Sequence, residues 1–153
     1  MTWLRRVQSA LIFCIPLAAH GQVATPKLLT LQVPAVTTGG ATPYHVASAA
    51  TTNSTLISTG AHTLYSLVLI NTTATIYYLR VYDQAAAPTC SSATGAVHSY
   101  PIPANTTGSG MVIPFGTVGE AYASGFGFCI TGGGSDTDNT AAAAGVYVNA
   151  SYK

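Results

Sequence analysis

Two aspartates in "GGGSDTDNT", Asp136 and Asp138, stand closer together than any other carboxylates in the chain. Oxygen ligands at alternate positions are how a calcium loop begins, because a hard cation gathers carboxylate and carbonyl oxygens from one tight turn. The spacing then departs from an EF-hand: no glycine follows at the sixth position and no glutamate closes the loop. The expectation is a solvated turn, with Asp136 and Asp138 as weak calcium candidates and no resident metal or cofactor. His45, His62 and His98 occur singly, without the paired spacing of zinc ligands, and are expected at the surface or at strand edges. No G-x-S-x-G elbow marks a nucleophilic serine. The "GGG" of Gly132 to Gly134 precedes an acidic turn, which is the wrong charge for cradling phosphate. No catalytic residue is assigned, and the chain is expected not to be an enzyme.

Cysteine chemistry points to structure. Once the first 21 residues are set aside as below, Cys90 and Cys129 remain. An even pair in an oxidising compartment reads first as a disulfide, and otherwise as two separate buried thiols. Closing the loop between them would contribute roughly 3–4 kcal/mol by the chain-entropy account. Asn53, Asn71, Asn105 and Asn149 each begin an N-x-S/T sequon. They are read as ordinary turn chemistry, in which a short polar side chain bonds its own backbone.

The elements that must carry these residues belong to a chain of 153 residues, about one domain. Residues 1–21 read as a signal peptide. Arg5 and Arg6 form a basic start, Ala10 to Ala19 a short apolar run, and Ala19-His20-Gly21 a cleavage site. The apolar run is too short, and too broken by Pro16, to span a bilayer. The remainder carries Lys27, Arg80 and Lys153 against Asp83, Glu120, Asp136 and Asp138, three cations minus four anions, or −1. Without a basic patch, neither nucleic acid nor an anionic membrane surface is an expected partner. Only 6% of residues are charged while 48% are hydrophobic, so the chain should fold rather than stay disordered.

Residues 22–57 are expected to hold an N-terminal strand and a Thr/Ala-rich loop region. Leu29, Leu31 and Val33 alternate with polar neighbours before Pro34, and one or two weak strands follow between Thr37 and Gly60. A core domain is expected over 58–153. "LYSLVLINTTATIYYLRVYD" (64–83) reads as an antiparallel hairpin whose four-residue loop is Asn71 to Ala74. The first arm, from Leu64, would place Leu64, Ser66, Val68 and Ile70 on one face and Tyr65, Leu67 and Leu69 on the other, a central strand covered on both sides. The strand Val97 to Ile102 carries Pro101 and suits an edge, and Met111 to Phe115 forms another. "GFGFCIT" puts Phe126, Phe128 and Ile130 on one face, and "GVYVNASYK" alternates Val146, Val148 and Ala150 with Tyr147, Asn149 and Ser151. No segment has a helical period. The fold class is all-β, a single antiparallel β-sandwich or jelly-roll-like barrel.

From Ser58 onward the chain resembles a group of small proteins of tailed phages and prophages. The matching residues are Gly60, Leu64-Tyr65, Asn71, Tyr82-Asp83, Ile102-Pro103, Gly125-Phe126, Ile130-Thr131 and Tyr152-Lys153. The resemblance implies a β-rich, virion-associated role in decoration or fibre attachment, without catalysis. A signal peptide departs from that pattern and implies a secreted, periplasmic or cell-surface location instead. Low charge favours self-association or docking on a larger protein assembly. Tyr77, Tyr78, Tyr82, Tyr147 and Tyr152 are expected in the core and on sheet surfaces, or else as an interface or carbohydrate platform. The expected function is therefore a non-enzymatic structural or assembly protein, with an extracellular module binding a glycan or surface ligand as the alternative.

Overall fold

A computed structural model describes residues 40–92, 95–108 and 110–153. The expected signal peptide and the alternating segment 29–33 lie outside the described residues. Apolar–polar alternation becomes strand throughout the described chain: β1 (Thr42–Ala47), β2 (Thr55–Thr59), β3 (His62–Asn71), β4 (Tyr77–Asp83), β5 (Ala96–Ile102), β6 (Gly110–Pro114), β7 (Glu120–Tyr122), β8 (Gly125–Thr131) and β9 (Val146–Tyr152). They form two antiparallel sheets. Sheet A has the order β1-β9-β3-β6, with β7 also paired to β3, and sheet B the order β2-β8-β4-β5. The all-β sandwich expected from the sequence is the fold, and β1 and β2 are the weak strands of the Thr/Ala-rich region. No helix among the described residues is long and apolar enough to cross a membrane.

The two sheets enclose one main core, built from Leu64, Leu67 and Leu69 of β3, Leu79 and Val81 of β4, Phe126, Phe128 and Ile130 of β8, and Val146, Val148 and Ala150 of β9. The faces read from "GFGFCIT" and "GVYVNASYK" are the faces observed, as is the edge position of β5.

The expected hairpin over 64–83 does not form. β3 lies in sheet A and β4 in sheet B, so the chain arches from one sheet to the other. Leu67 and Leu69 then enter the same core as Leu79 and Val81. Asn71, buried at 1% exposure, holds the arch. Its Nδ2 donates to the Thr75 carbonyl at 2.8 Å and to the Ile102 carbonyl at 3.1 Å, while Oδ1 accepts the Thr73 N–H at 2.9 Å. A buried amide with its donors and acceptor engaged fixes a turn that a solvated asparagine could not.

The predicted faces of β3 also shift. A bulge between Leu64 and Ser66 in the pairing with β9 carries Leu64 to the core side with Leu67 and Leu69. The strands covered on both sides are β4 and β8 rather than β3: Leu79, Arg80, Val81 and Tyr82 are fully buried, and every residue of β8 is buried. Two loops, one after β4 and one after β8, lie over the outer face of sheet B and account for this.

Candidate functional site

Arg80 is fully buried on that outer face. Nη1 donates to the Ser135 carbonyl at 2.9 Å and also to the Asp136 carbonyl, and Nη2 donates to the Asp138 carbonyl. The planar fork of a guanidinium suits several converging acceptors. The "SDTD" loop therefore wraps a cation, and that cation is the protein's own arginine. Asp138 is turned inward on the loop: its carboxylate accepts the Gly133 N–H at 2.7 Å and the Thr140 hydroxyl at 2.8 Å. Burial pushes this carboxyl up, but the bonds from Thr140 and Gly133 and the nearby Arg80 charge outweigh it and hold the group below the usual aspartate range. Among the described residues, no group of three or more His, Cys, Asp or Glu side chains gathers as a metal site. The loop packs flat on a ring at Gly134, where a Cβ would fall 2.8 Å from the Tyr78 ring.

The second cover is the loop after β4, fastened by the Cys90–Cys129 disulfide, whose Cα atoms lie 5.8 Å apart. With Tyr82 the bridge forms a small buried cluster of its own outside the main core. A buried disulfide is compatible with an oxidising, extracytoplasmic compartment.

His98 is not isolated. Its Nε2 meets Glu120 Oε1 across the side of the sandwich, joining β5 of sheet B to β7 of sheet A. Tyr122 donates to Glu120 Oε2 at 3.3 Å, and the His98 ring stacks on Tyr100 with centroids 5.5 Å apart. Burial, reinforced by the neighbouring Glu120 carboxylate, pushes the Tyr122 hydroxyl well above the ordinary tyrosine range. A histidine with a carboxylate on one nitrogen is half of an acid–base relay. Here its hydrogen bonds run within the cluster, and it acts as a clasp between the two sheets. Sequence reading missed this pair because the partners sit on different sheets and β7 is only three residues long.

Asp83 ties the β4 terminus to the turn before β8. Its carboxylate accepts the N–H groups of Ala123 at 2.9 Å, Ser124 at 2.7 Å and Gly125 at 3.2 Å. The bonds from Ala123 and Ser124 chiefly hold this carboxyl below its ordinary value of 3.8, against a smaller upward push from burial. A depressed folded pKa gives stability that is complete above the unfolded value and fades as pH falls through the folded one. Asp83→Asn should therefore cost about 1 kcal/mol at neutral pH. It should also flatten the loss of urea stability on acidification below the ordinary aspartate range, as read by denaturation at a series of pH values.

The sequon asparagines divide. Asn53 adopts φ 50° and bonds Ala49 and Thr51 through its side chain, Asn71 holds the arch, and Asn105 accepts the Thr107 N–H at 3.0 Å. These three do the turn chemistry expected of them. Asn149 does not: it lies within β9, on the outer face of sheet A, with Oδ1 2.7 Å from His45 Nδ1. His45 and Tyr147 stack beside it at an interplanar angle of 15°. His62 packs edge-on against Tyr152, which also packs against the core, and bonds the Thr59 carbonyl at 2.8 Å. Tyr77 and Tyr82 are buried, and Tyr78 lies under the Gly132–Thr140 loop.

No known family model, curated protein or solved structure matches this chain.

Proposed function

We propose that this protein is a non-enzymatic, exported building block that associates with further copies of itself, as a surface or virion-associated assembly. One feature of the sheet borders carries this reading. An edge strand offers a row of free backbone donors and acceptors to any chain that approaches, and proteins blunt such edges with proline or charge. β1 carries Pro43, β5 carries Pro101 and β6 carries Pro114, while β7 carries Glu120. The remaining border strand, β2, reads Thr-Leu-Ile-Ser-Thr; it has neither proline nor charge, and its one irregularity is a bulge between Leu56 and Ser58. Two copies meeting antiparallel along β2 would extend sheet B across the pair. A formal charge of −1 for residues 22–153 leaves little repulsion between them. The Cys90–Cys129 bridge supports export, and the likeness to phage proteins supports the virion setting.

Light scattering on the purified chain tests this. The expected mass is a multiple of the protomer mass, falling to one protomer in Leu56→Lys and in Thr59→Lys, which place a cation on the open edge. Val112→Lys, on a 64% exposed side chain of sheet A, should leave the mass unchanged. A monomeric wild type at millimolar concentration would rule the reading out.

A further inference from the structure

The outer face of sheet A holds a shallow groove of about 330 Å³ over β1, β9 and β3. This lies at the small end of ligand pockets, which span roughly 300–1,000 Å³. Its polar groups come from His45, Asn149, Ser66 and Ser151, its apolar surface chiefly from Pro43 and Val68, and no lysine, arginine, aspartate or glutamate lines it. Ser66 and Ser151 are cross-strand partners, so their side chains stand side by side on the sheet surface.

The hydrogen bonds select between the two tautomers of the neutral histidine. Asn149 Nδ2 donates to the Val68 carbonyl at 3.3 Å, which turns Oδ1 towards His45. That oxygen can only accept, so the proton of the neutral imidazole sits on Nδ1, 2.7 Å away. Nε2 is left with a lone pair. The stacked Tyr147 ring, with its centroid 6.1 Å distant, further restrains the imidazole. The groove thus presents one oriented acceptor, two hydroxyls that each donate and accept, and an apolar patch, with no fixed charge.

We propose that this groove binds a neutral sugar ring. A pyranose carries hydroxyls that both donate and accept, which match the two serines and the Nε2 acceptor, and a C–H face that can lie on Val68 and Pro43. An anionic ligand would find no cation here. The proposal is independent of self-association through β2, because the groove belongs to the face of sheet A and β2 to the border of sheet B.

The test is NMR titration of the isotopically labelled chain with cellotetraose, maltotetraose, chitotetraose and, as an anionic control, sialyllactose. The expected result is saturable movement of the His45, Ser66 and Asn149 signals with at least one neutral sugar, and none with sialyllactose. His45→Ala should weaken that binding about tenfold, since one oriented hydrogen bond and its ring support are lost. Ser66→Val keeps the strand's shape and should also weaken it, which guards against an unfolded His45 variant. Three results would each overturn the proposal: no movement with any neutral sugar, movement that survives both substitutions, or groove signals that move with protein concentration alone. The last would assign the groove to a second copy.

Discussion

Arg80→Ala is expected to lower folding stability by about 3–5 kcal/mol, because hydrogen bonds from a charged donor are lost and a large buried side chain leaves a cavity. Arg80 is fully buried, and its charge is met by the carbonyls of Ser135, Asp136 and Asp138. Truncation removes three charge-assisted bonds and opens a cavity beneath the Gly132–Thr140 loop. The loop is rich in glycine; its own bonds, from Asp138 to Gly133 and Thr140, shape it and it packs on Tyr78, while Arg80 ties its carbonyls to the sheet. Arg80→Lys keeps the charge but not the fork, because an ammonium is a single point and cannot serve carbonyls spread over four residues of loop. It should lose about 2 kcal/mol. Arg80→Met should lie between lysine and alanine: it fills the space and avoids burying a charge, yet it releases the loop carbonyls to water. Urea denaturation gives the stabilities, and protease sensitivity within 132–140 reports release of the loop. Equal stability of the alanine variant and the wild type would show that the loop is held by something else.

Removing the Cys90–Cys129 bridge as a Cys90→Ala/Cys129→Ala pair should cost about 4 kcal/mol, the chain-entropy value for residues 39 apart. Both residues are buried, Cys90 at 6% and Cys129 at 0% exposure, so reductant should reach the bond in the native protein slowly and in the denatured protein at once. The expected signature is a reductant-dependent drop in the urea midpoint when reduction precedes refolding, and little change when reductant is added to folded protein. The loss should fall mainly on the loop after β4. Without the bridge the Tyr82–Cys90–Cys129 cluster has no covalent closure, and the outer face of sheet B opens on that side.

The sequence made the strands legible because alternation survives on a half-buried sheet. Phe126, Phe128 and Ile130 could be placed inward, and Val146, Val148 and Ala150 likewise, from spacing alone. Alternation is silent on which sheet a strand joins. That is why Asn71 reads as the start of a hairpin loop when its buried side chain holds an arch between sheets. A hairpin and an arch can carry the same alternation along each strand and differ in whether the two strands pair with each other or face each other across the core. Alternation also fails at a bulge, where one extra residue reverses the phase, as it does beside Tyr65.

The sites were less legible for a related reason. Arg80 shares a strand face with Tyr78 and Tyr82, and nothing near it in sequence shows what covers that face; the loop that buries it lies more than fifty residues on. The glycines and aspartates around Asp136 and Asp138 mark a turn; that its backbone carbonyls close over Arg80 is not marked, because the partner lies on a distant strand. His98 with Glu120, and His45 with Asn149, are separated by 22 and 104 positions respectively. Each pair exists because two strands meet, which no local pattern records.

Amide hydrogen exchange across Thr55–Thr59 reads the proposed contact between copies where it should form, on the open border of sheet B. Amides of β2 should exchange slowly in concentrated protein and faster on dilution, while those of β1, β5 and β6 hold their rates. Protection of β2 that ignores concentration, or concentration-dependent protection confined to another border, would contradict it.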